Sequence, residues 1–247
     1  MRQSPEARYV PALGFSWLTP YYDVVVRTTT REHAVKHALI KQACFEPGQQ
    51  VLDLASGTGT LAIWIKQHEP LLDVTGVDGD PAILAIASKK AKKASIDIHF
   101  DHALSYSLPY PANHFDRVVS SLFFHHLSWE IKQRTAGEVF RVLKPGGELH
   151  VADWGRPSNP LMRGLFFFIQ LLDGFKNTRA NVSGKLVELF QDAGLVQVSQ
   201  LRSFSTVLGT MALYRAAKPS QGSSQSPRND KRQEVPVTSE IERGSTR

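Results

Sequence analysis

Short β-branched segments alternate with longer amphipathic segments from about residue 30 to about residue 215. This alternation is typical of an α/β domain that is built on a mostly parallel sheet. The pattern predicts five strands over Gln50–Leu54, Asp73–Asp78, Asp97–Phe100, Arg117–Ser121 and Glu148–Ala152. Two further strands, Val196–Ser203 and Thr206–Tyr214, have no helical stretch between them, so we expect them to form an antiparallel pair.

Helix signals follow two of these predicted strands. Asp80 and Pro81 supply an N-cap and a first-turn proline, and Ser128 supplies a second N-cap. Four lysines gather near the end of the first of these helices: Lys89, Lys90, Lys92 and Lys93. Because the negative end of a helix favours cations, and because no aromatic residues are interleaved with these lysines, we expect no nucleic-acid partner.

Composition excludes several classes of protein. The chain has 247 residues, of which 42% are hydrophobic, and its one cysteine, Cys44, rules out a disulfide scaffold. The longest apolar run, Gly164–Leu172, is well short of the roughly 20 residues that a membrane-spanning helix requires. The first residues lack the continuous apolar segment of a secretory signal. We therefore expect a cytoplasmic protein.

A glycine-rich turn separates the first predicted strand from the helix that follows it. Gly57 and Gly59 lie in this turn, where backbone N–H groups and a helix N-terminus can approach a ligand closely. Asp53 lies near the end of the first strand and Asp78 ends the second. A carboxylate at the position of Asp78 can accept hydrogen bonds from ribose hydroxyls, so the pattern indicates a nucleoside-containing ligand.

Two cofactors fit this turn. The spacing Gly57-x-Gly59-x-x-Ala62 also matches the dinucleotide fingerprint, so an NAD(P)-dependent Rossmann oxidoreductase is an alternative. The carboxylate of Asp53 distinguishes between them, since it would repel a pyrophosphate and attract an ammonium or sulfonium group. S-adenosylmethionine carries both cationic groups and a ribose, and it is the cofactor that the sequence favours.

The segment from Asp53 to Gly59 resembles motif I of the class I S-adenosylmethionine-dependent methyltransferases. The likeness continues, in family order, through Val77-Asp78, Leu108–Pro111, Phe115–Ser121, His125–Leu127 and Leu143–Leu149. The resemblance implies a Rossmann-like α/β fold with a seven-stranded, mostly parallel sheet, a C-terminal antiparallel hairpin and helices on both faces. Ala55 replaces the first glycine of the family motif, and we expect it to shift the loop slightly without loss of binding.

The resemblance also assigns positions around the cofactor. Asp53 and Ala55 would lie by the methionine part, and Gly57 and Gly59 would let the backbone approach it. The ribose and adenine contacts would come from Asp78, Gly79, Asp101 and Ala103, with Asp101 favoured over its neighbour His102 as the partner of the adenine amino group. Ser120 and Ser121 would line the floor near the reacting sulfur.

A general base is needed only if the acceptor must lose a proton. His125 and His126 follow the fourth strand, where the resemblance places the acceptor, and a neutral imidazole removes protons well near pH 7. Adjacent residues do not both face one site, and we predict that His125 is the catalytic residue. Packing alone would equally explain both histidines. His33 and His37 have metal-ligand spacing on a helix but no evident third ligand, so we expect no metal site.

The acceptor-binding parts are expected outside the shared core. Phe15–Tyr22 and Pro160–Phe175 are rich in large apolar residues, which favours a small apolar or lipid-like acceptor and peripheral contact with a membrane. The motif set is similar to methyltransferases of quinones and of phospholipid amino heads. The quinone branch, however, has an Asn- and Trp-containing signature after its Tyr-Asp pair, and here Tyr22-Asp23 is followed by other residues.

We therefore divide the chain into three parts. Residues 1–30 form an N-terminal segment that covers the substrate, residues 31–216 form the methyltransferase domain with a helical insertion at 157–182, and residues 217–247 form a disordered tail. The tail is poor in hydrophobic residues, and its six basic and four acidic residues account for two of the six net positive charges. Motifs report a cofactor site more surely than turnover, so a non-catalytic S-adenosylmethionine-binding accessory subunit is a second alternative.

Overall fold

The computed structural model describes residues 31–157, 160, 162–164, 178, 180–181 and 183–220. The strands are β1 Gln50–Leu54, β2 Asp73–Asp78, β3 His99–His102, β4 Phe115–Ser121, β5 Leu143–Trp154, β6 Val196–Thr206 and β7 Gly209–Ala217. The helices are α1 Glu32–Ala43, α2 Thr60–His68, α3 Pro81–Lys93, α4 Trp129–Val142 and α5 Leu186–Asp192, with a 3-10 turn at Phe124–His126. The predicted strands β1 and β2 are confirmed to the residue.

The strands form a seven-stranded sheet in the order β3-β2-β1-β4-β5-β7-β6. Neighbours from β3 to β5 are parallel, whereas β7 is antiparallel to both β5 and β6. The predicted α/β fold with a C-terminal antiparallel hairpin is therefore confirmed. The strand order reverses at β1, which lies between β2 and β4, and ligands of open α/β sheets bind outside the carboxyl ends of the strands at such a point.

Both faces of the sheet are covered by helices, as predicted. On one face, α4 and α5 contribute buried residues such as Val139 and Phe190, which join the cluster that contains Leu52 of β1. On the other face, buried residues of α1 and α2 join the cluster that contains Val51. Adjacent residues of β1 thus face two different cores, which explains why the strand is apolar on both sides.

The predicted N-caps are confirmed. The carboxylate of Asp80 accepts a hydrogen bond of 2.8 Å from the backbone N–H of Ala82 at the start of α3. The hydroxyl of Ser128 accepts a longer one of 3.4 Å from the N–H of Ile131 in α4. These side chains satisfy backbone donors that the first turn of a helix leaves without an intrahelical acceptor.

Strand β3 begins two residues later than predicted. The chain leaves α3 through Ser95, which has a left-handed backbone with a φ of 56°, and the N–H of Ile96 bonds the carbonyl of Ala91. This closing turn ends just before Asp97, the predicted start of the strand, and pairing with β2 begins only at His99, opposite Thr75. As a consequence, Asp101 and His102 belong to β3 and do not follow it.

Strand β5 extends beyond the predicted Glu148–Ala152 at both ends, and at its carboxyl end the extension pairs with β7. The pairing extends from Glu148, opposite Ala217, to Trp154, opposite Met211. Asp153 is therefore a strand residue, and it is fully buried.

The C-terminal hairpin turns at Val207 and Leu208, three residues later than the predicted break. The hydroxyl of Thr206 stabilises this turn, because it donates to the carbonyl of Gly209 and accepts from the N–H of Leu208. The folded chain also continues beyond residue 216. Lys218 follows β7, and its ammonium donates to the carbonyl of Leu143.

Three predicted segments lie wholly or largely outside the described residues: the N-terminal segment 1–30, the insertion 157–182 and most of the tail 217–247. None of the helices in the described part of the chain has the length and apolar character needed to cross a membrane.

Candidate active site

The glycine loop joins the carboxyl end of β1 to α2. Gly57 and Gly59 have left-handed backbones, with φ angles of 53° and 73°. A Cβ added to Gly59 would lie 2.9 Å from the ring of Phe100, whereas at Gly57 the nearest atom, in Ile83, would be 4.0 Å away. Gly59 is therefore required for packing, and the loop leaves space beside Gly57.

Ala55 lies in the same loop and also has a left-handed backbone, with a φ of 58°. This conformation costs an alanine roughly 1 kcal/mol or more, because its Cβ approaches the following carbonyl oxygen. The residue that replaces the first family glycine thus adopts a backbone that a glycine would adopt without this cost.

Asp53 is buried beneath the loop, with 1% of its surface exposed. One carboxylate oxygen accepts a hydrogen bond of 3.0 Å from the N–H of Ala62. Burial raises the pKa of this carboxyl to about 7, although nearby Lys36 and the bond from Ala62 act in the opposite direction. Desolvation thus disfavours the charged form, and a cation placed beside Asp53 would restore it.

Asp78 ends β2 and holds the other side of the loop. Its two carboxylate oxygens accept hydrogen bonds from the N–H groups of Gly57, at 2.9 Å, and Asp80, at 3.0 Å. Burial raises the pKa of Asp78, while these backbone bonds oppose the increase. The structure therefore brings the two acids to one edge of the sheet, with the glycine loop beside them, as the sequence predicted.

The end of β3 differs from the expected arrangement. Asp101 is engaged through both carboxylate oxygens, one 2.9 Å from Nε2 of His99 and the other accepting from the hydroxyl of Tyr110 at 2.9 Å. His102 instead lies against Gly79, with its Nε2 3.1 Å from the Gly79 carbonyl oxygen. The structure thus places His102 next to Gly79, the residue that was predicted to lie close to the adenine.

Ala103 follows β3 and is also held at this edge. Its N–H donates a hydrogen bond of 3.1 Å to the carbonyl of Asp78. Ala103 therefore lies beside the residue that was predicted to hold the ribose.

Ser120 and Ser121 end β4 beside the end of β1. The hydroxyl of Ser120 is buried and donates a hydrogen bond of 2.9 Å to the carbonyl of Leu54. Ser121 is partly exposed. Ser120 thus joins two strand ends below the loop, and its hydroxyl is already used in this contact.

His125 forms a buried pair with Asp153. The Nδ1 atom of His125 lies 2.7 Å from one carboxylate oxygen, and the backbone N–H of His125 donates to the other at 3.3 Å. Both side chains are almost fully buried. When Nδ1–H donates to a carboxylate, the lone pair of the neutral imidazole lies on Nε2, which can accept a proton.

The sequence reasoning missed Asp153. Its position in the sequence could have indicated it, because Asp153 directly follows the apolar predicted strand Glu148–Ala152. Asp53 and Asp78 likewise fall at or near the ends of their predicted strands. Neighbouring His126 has its ring centroid 3.9 Å from that of His125. Burial and the proximity of His125 lower the pKa of His126 well below its usual range, so His126 is neutral near pH 7.

Lys132 is a second residue that the sequence reasoning missed. It is a fully buried residue of α4, and its ammonium donates a hydrogen bond of 2.6 Å to the carbonyl of Leu127. Burial lowers its pKa to about 8, and the charge of Asp153 opposes that shift. Lys132 thus fixes the turn that carries His125 and lies within electrostatic range of Asp153.

His33 and His37 pack against an aromatic residue of α2. Their ring centroids are 4.1 Å apart, and the His37 ring stacks on Trp64 at 5.0 Å. This contact accounts for the helical spacing of the two histidines.

The fold and these strand-end residues form a Rossmann-like domain with a glycine loop and two acids at the carboxyl edge of its sheet. A family model described as "Methyltransferase domain" matches residues 51–147. The chain is 35% identical over 150 residues to the demethylmenaquinone methyltransferase of Thermus thermophilus. This alignment covers 58% of this chain and 65% of the relative. A demethylmenaquinone methyltransferase of Symbiobacterium thermophilum is 29% identical and covers 89% of this chain and 97% of the relative.

Solved structures agree on the fold. A phosphoethanolamine N-methyltransferase 2 of Haemonchus contortus superposes with a TM-score of 0.67 at 17% identity, over 84% of this chain and 58% of that one. The chain spans just under two thirds of the length of the first curated relative. Residues 51–147 of this chain thus match a methyltransferase domain, and the chain is similar to demethylmenaquinone methyltransferases.

Proposed function

We propose that this protein transfers a methyl group from S-adenosylmethionine to a quinone-like lipid acceptor. The proposal rests above all on two carboxylates, the buried Asp53 and the partly buried Asp78, which flank a glycine loop at the carboxyl edge of the sheet. The similarity to demethylmenaquinone methyltransferases supports the acceptor class. The departure after Tyr22-Asp23 concerns a segment outside the described residues.

The residues around the loop fit S-adenosylmethionine. Burial raises the pKa of Asp53 to about 7 even with Lys36 nearby, and the positive charges of the cofactor would favour its ionised form. The space beside Gly57 admits the ligand, and Asp78 would receive the ribose hydroxyls. His102, with Gly79, is a better placed adenine contact than Asp101. When bound, the cofactor supplies an electrophilic methyl group.

The remaining task of the protein is to orient the acceptor and remove its proton. His125 would accept this proton on Nε2, since Nδ1 faces Asp153. Asp153 is the positioning residue that holds the imidazole through Nδ1. Ser120 and Ser121 would line the floor of a site that excludes water, where in-line alignment accelerates methyl transfer.

We propose that the apolar segments Phe15–Tyr22 and Pro160–Phe175 cover the acceptor. A lipid-like acceptor favours a cytoplasmic protein that contacts the membrane peripherally. We also retain the proposal that there is no nucleic-acid partner. Within the lysine cluster of α3, the ammonium of Lys90 donates to the hydroxyl of Thr60 at 2.6 Å, a contact within the domain.

The experiment uses the full chain, calorimetry and a radiolabelled methyl group. We expect S-adenosylmethionine to bind, NAD to show no heat of binding, and label to appear in 1,4-naphthohydroquinone under anaerobic conditions. Binding of NAD alone would favour the oxidoreductase alternative. Tight binding of S-adenosylmethionine without transfer to hydroquinones, phosphoethanolamine or a lipid extract would instead favour the accessory subunit.

A further inference from the structure

Two buried polar atoms near the His125–Asp153 pair have no hydrogen-bond partner among the described residues. They are the hydroxyl oxygen of Tyr214 and the side-chain carbonyl oxygen of Asn181. Tyr214 is 1% exposed and Asn181 is fully buried. Buried polar groups are nearly always hydrogen-bonded, because an unpaired one loses its contacts with water and gains nothing in return. These two atoms therefore require a partner.

The side chains that carry these atoms approach Gly155, the first residue after β5. The side-chain nitrogen of Asn181 donates a hydrogen bond of 3.3 Å to the carbonyl of Trp154, the residue before Gly155. The hydroxyl oxygen of Tyr214 lies 3.2 Å from the position that a Cβ on Gly155 would occupy. The two side chains thus approach the same part of the chain, Trp154–Gly155, from β7 and from the segment before α5.

This point adjoins the proposed general base. Tyr214 pairs with Val151 across β5 and β7, so its side chain lies on the same face of the sheet as Asp153, two residues further along β5. Burial, and then the charge of Asp153, raises the pKa of Tyr214 above its usual range. The phenol therefore keeps its proton and has a hydrogen to donate next to the carboxylate that holds His125.

We propose that Tyr214 and Asn181 form a subsite that binds a hydroxyl group of the methyl acceptor, close to the atom that is methylated. This inference rests on the proposed function and specifies its acceptor. The carbonyl oxygen of Asn181 only accepts hydrogen bonds, whereas the phenol of Tyr214 has a proton to donate. A hydroxyl group donates to the first and accepts from the second, and it leaves neither atom unpaired.

Other acceptor groups fit less well. A ketone would accept from Tyr214 but leave the Asn181 oxygen unpaired, and an ammonium would donate to both residues but leave the Tyr214 proton unpaired. The subsite therefore selects the reduced, hydroxyl-bearing form of a quinone-like ring over its oxidised form and over an amine. It also places an acidic O–H group within the region that His125 serves.

The test compares Tyr214→Phe, which removes one oxygen, with Tyr106→Phe as a matched control. The guanidinium carbon of Arg134 lies over the Tyr106 ring, 4.4 Å from the ring centroid. This contact does not need the Tyr106 hydroxyl. Binding is measured anaerobically with S-adenosylhomocysteine present, using 1,4-naphthohydroquinone and naphthalene, which lacks both hydroxyls. We expect Tyr214→Phe to weaken hydroquinone binding about tenfold. Naphthalene and S-adenosylmethionine should bind the variant as they bind the wild type.

Thermal unfolding of the ligand-free protein is a second readout. Since Tyr214→Phe removes an unpaired buried hydroxyl, we expect it to raise the melting temperature, whereas Tyr106→Phe should leave it unchanged. Asn181→Leu provides an independent variant, which should also weaken hydroquinone binding more than naphthalene binding.

Three results would overturn the subsite. They are unchanged hydroquinone affinity in both variants, equal losses for hydroquinone and naphthalene, and a wild type that binds no hydroquinone. The first of these, with a lowered melting temperature in Tyr214→Phe, would mean that an internal water pairs the two atoms. If the wild type binds hydroquinone through Tyr214 but transfers no methyl group, the proposed function fails and the subsite stands.

Discussion

The imidazole Nδ1 of His125 lies 2.7 Å from a carboxylate oxygen of Asp153, and both side chains are buried where β4 and β5 approach the carboxyl edge of the sheet. The backbone N–H groups of His125 and Trp154 also donate to this carboxylate. Three N–H donors therefore surround the carboxylate of Asp153 and orient His125 with Nε2 away from it.

Replacing the carboxylate tests the positioning role. In Asp153→Asn an amide N–H₂ group must face one of these donors, so we expect the imidazole to lose its orientation and kcat to fall about 10²-fold. The affinity for S-adenosylmethionine should change less than about threefold. Asp116→Asn is a suitable control, because Asp116 lies near the opposite end of β4 in an ion pair with Lys144. A variant Asp153→Asn with wild-type kcat and an unchanged pH profile would show that the pair is purely structural.

Asp53 predicts a pH dependence of cofactor binding. Its pKa is raised to about 7 by burial, and a cationic ligand prefers the ionised carboxylate, so binding must release a proton below that pH. We expect affinity for S-adenosylmethionine to fall as the pH decreases from 7 towards 5, by at most about tenfold per pH unit for this group. Calorimetry in buffers of different ionisation enthalpy would count the protons. Asp53→Asn should bind more weakly at pH 8 with a shallower slope, and an equal slope would assign the proton to another group.

The same raised pKa predicts the stability of the ligand-free protein. Because the folded state holds this proton at a higher pH than the unfolded state, Asp53 favours folding increasingly as the pH falls from about 7 to about 4. We expect Asp53→Asn to stabilise the ligand-free protein at pH 8 and to have little effect near pH 4. Urea denaturation at both pH values measures the difference, and an equal effect at both would contradict the raised pKa.

The end of β3 predicts which residue contacts the adenine. His102 lies against Gly79, whereas Asp101 is engaged by His99 and Tyr110. We expect His102→Ala to weaken S-adenosylmethionine binding about tenfold, as the loss of a hydrogen bond and ring contact would require. His99→Ala, on the same strand, should bind the cofactor normally. If Asp101→Asn weakened binding and His102→Ala did not, the original assignment of Asp101 would hold.

The left-handed backbone of Ala55 predicts a stabilising substitution. Ala55→Gly removes the Cβ conflict but increases the freedom of the unfolded chain, and we expect a net gain of about 0.5 kcal/mol. In contrast, Ala136→Gly, at a buried position in the interior of α4, should destabilise the protein by about 1 kcal/mol or more. Chemical denaturation of both variants gives the comparison. A loss of stability in Ala55→Gly would mean that the alanine methyl contributes packing that exceeds its strain.

Much of the cofactor edge was predictable because its signals are local. In β1 and β2 the apolar run, the acid and the following glycine or helix cap lie within a few residues, so strand limits and loop follow from the sequence. The predicted start of β3 was two residues early, because pairing with β2 begins at His99, opposite Thr75, and no local signal marks that register.

The sequence by itself determined the class of fold, the glycine loop and the two acids beside it, since hydrophobic periodicity and turn chemistry act over short stretches. Only the tertiary structure decided that Asp153 holds His125, that His102 lies beside Gly79, and that Tyr214 approaches Gly155. The residues in these three contacts are 28, 23 and 59 positions apart in the chain, and the register of neighbouring strands brings them together. Register is set by the packing of the whole sheet, and no local pattern contains it.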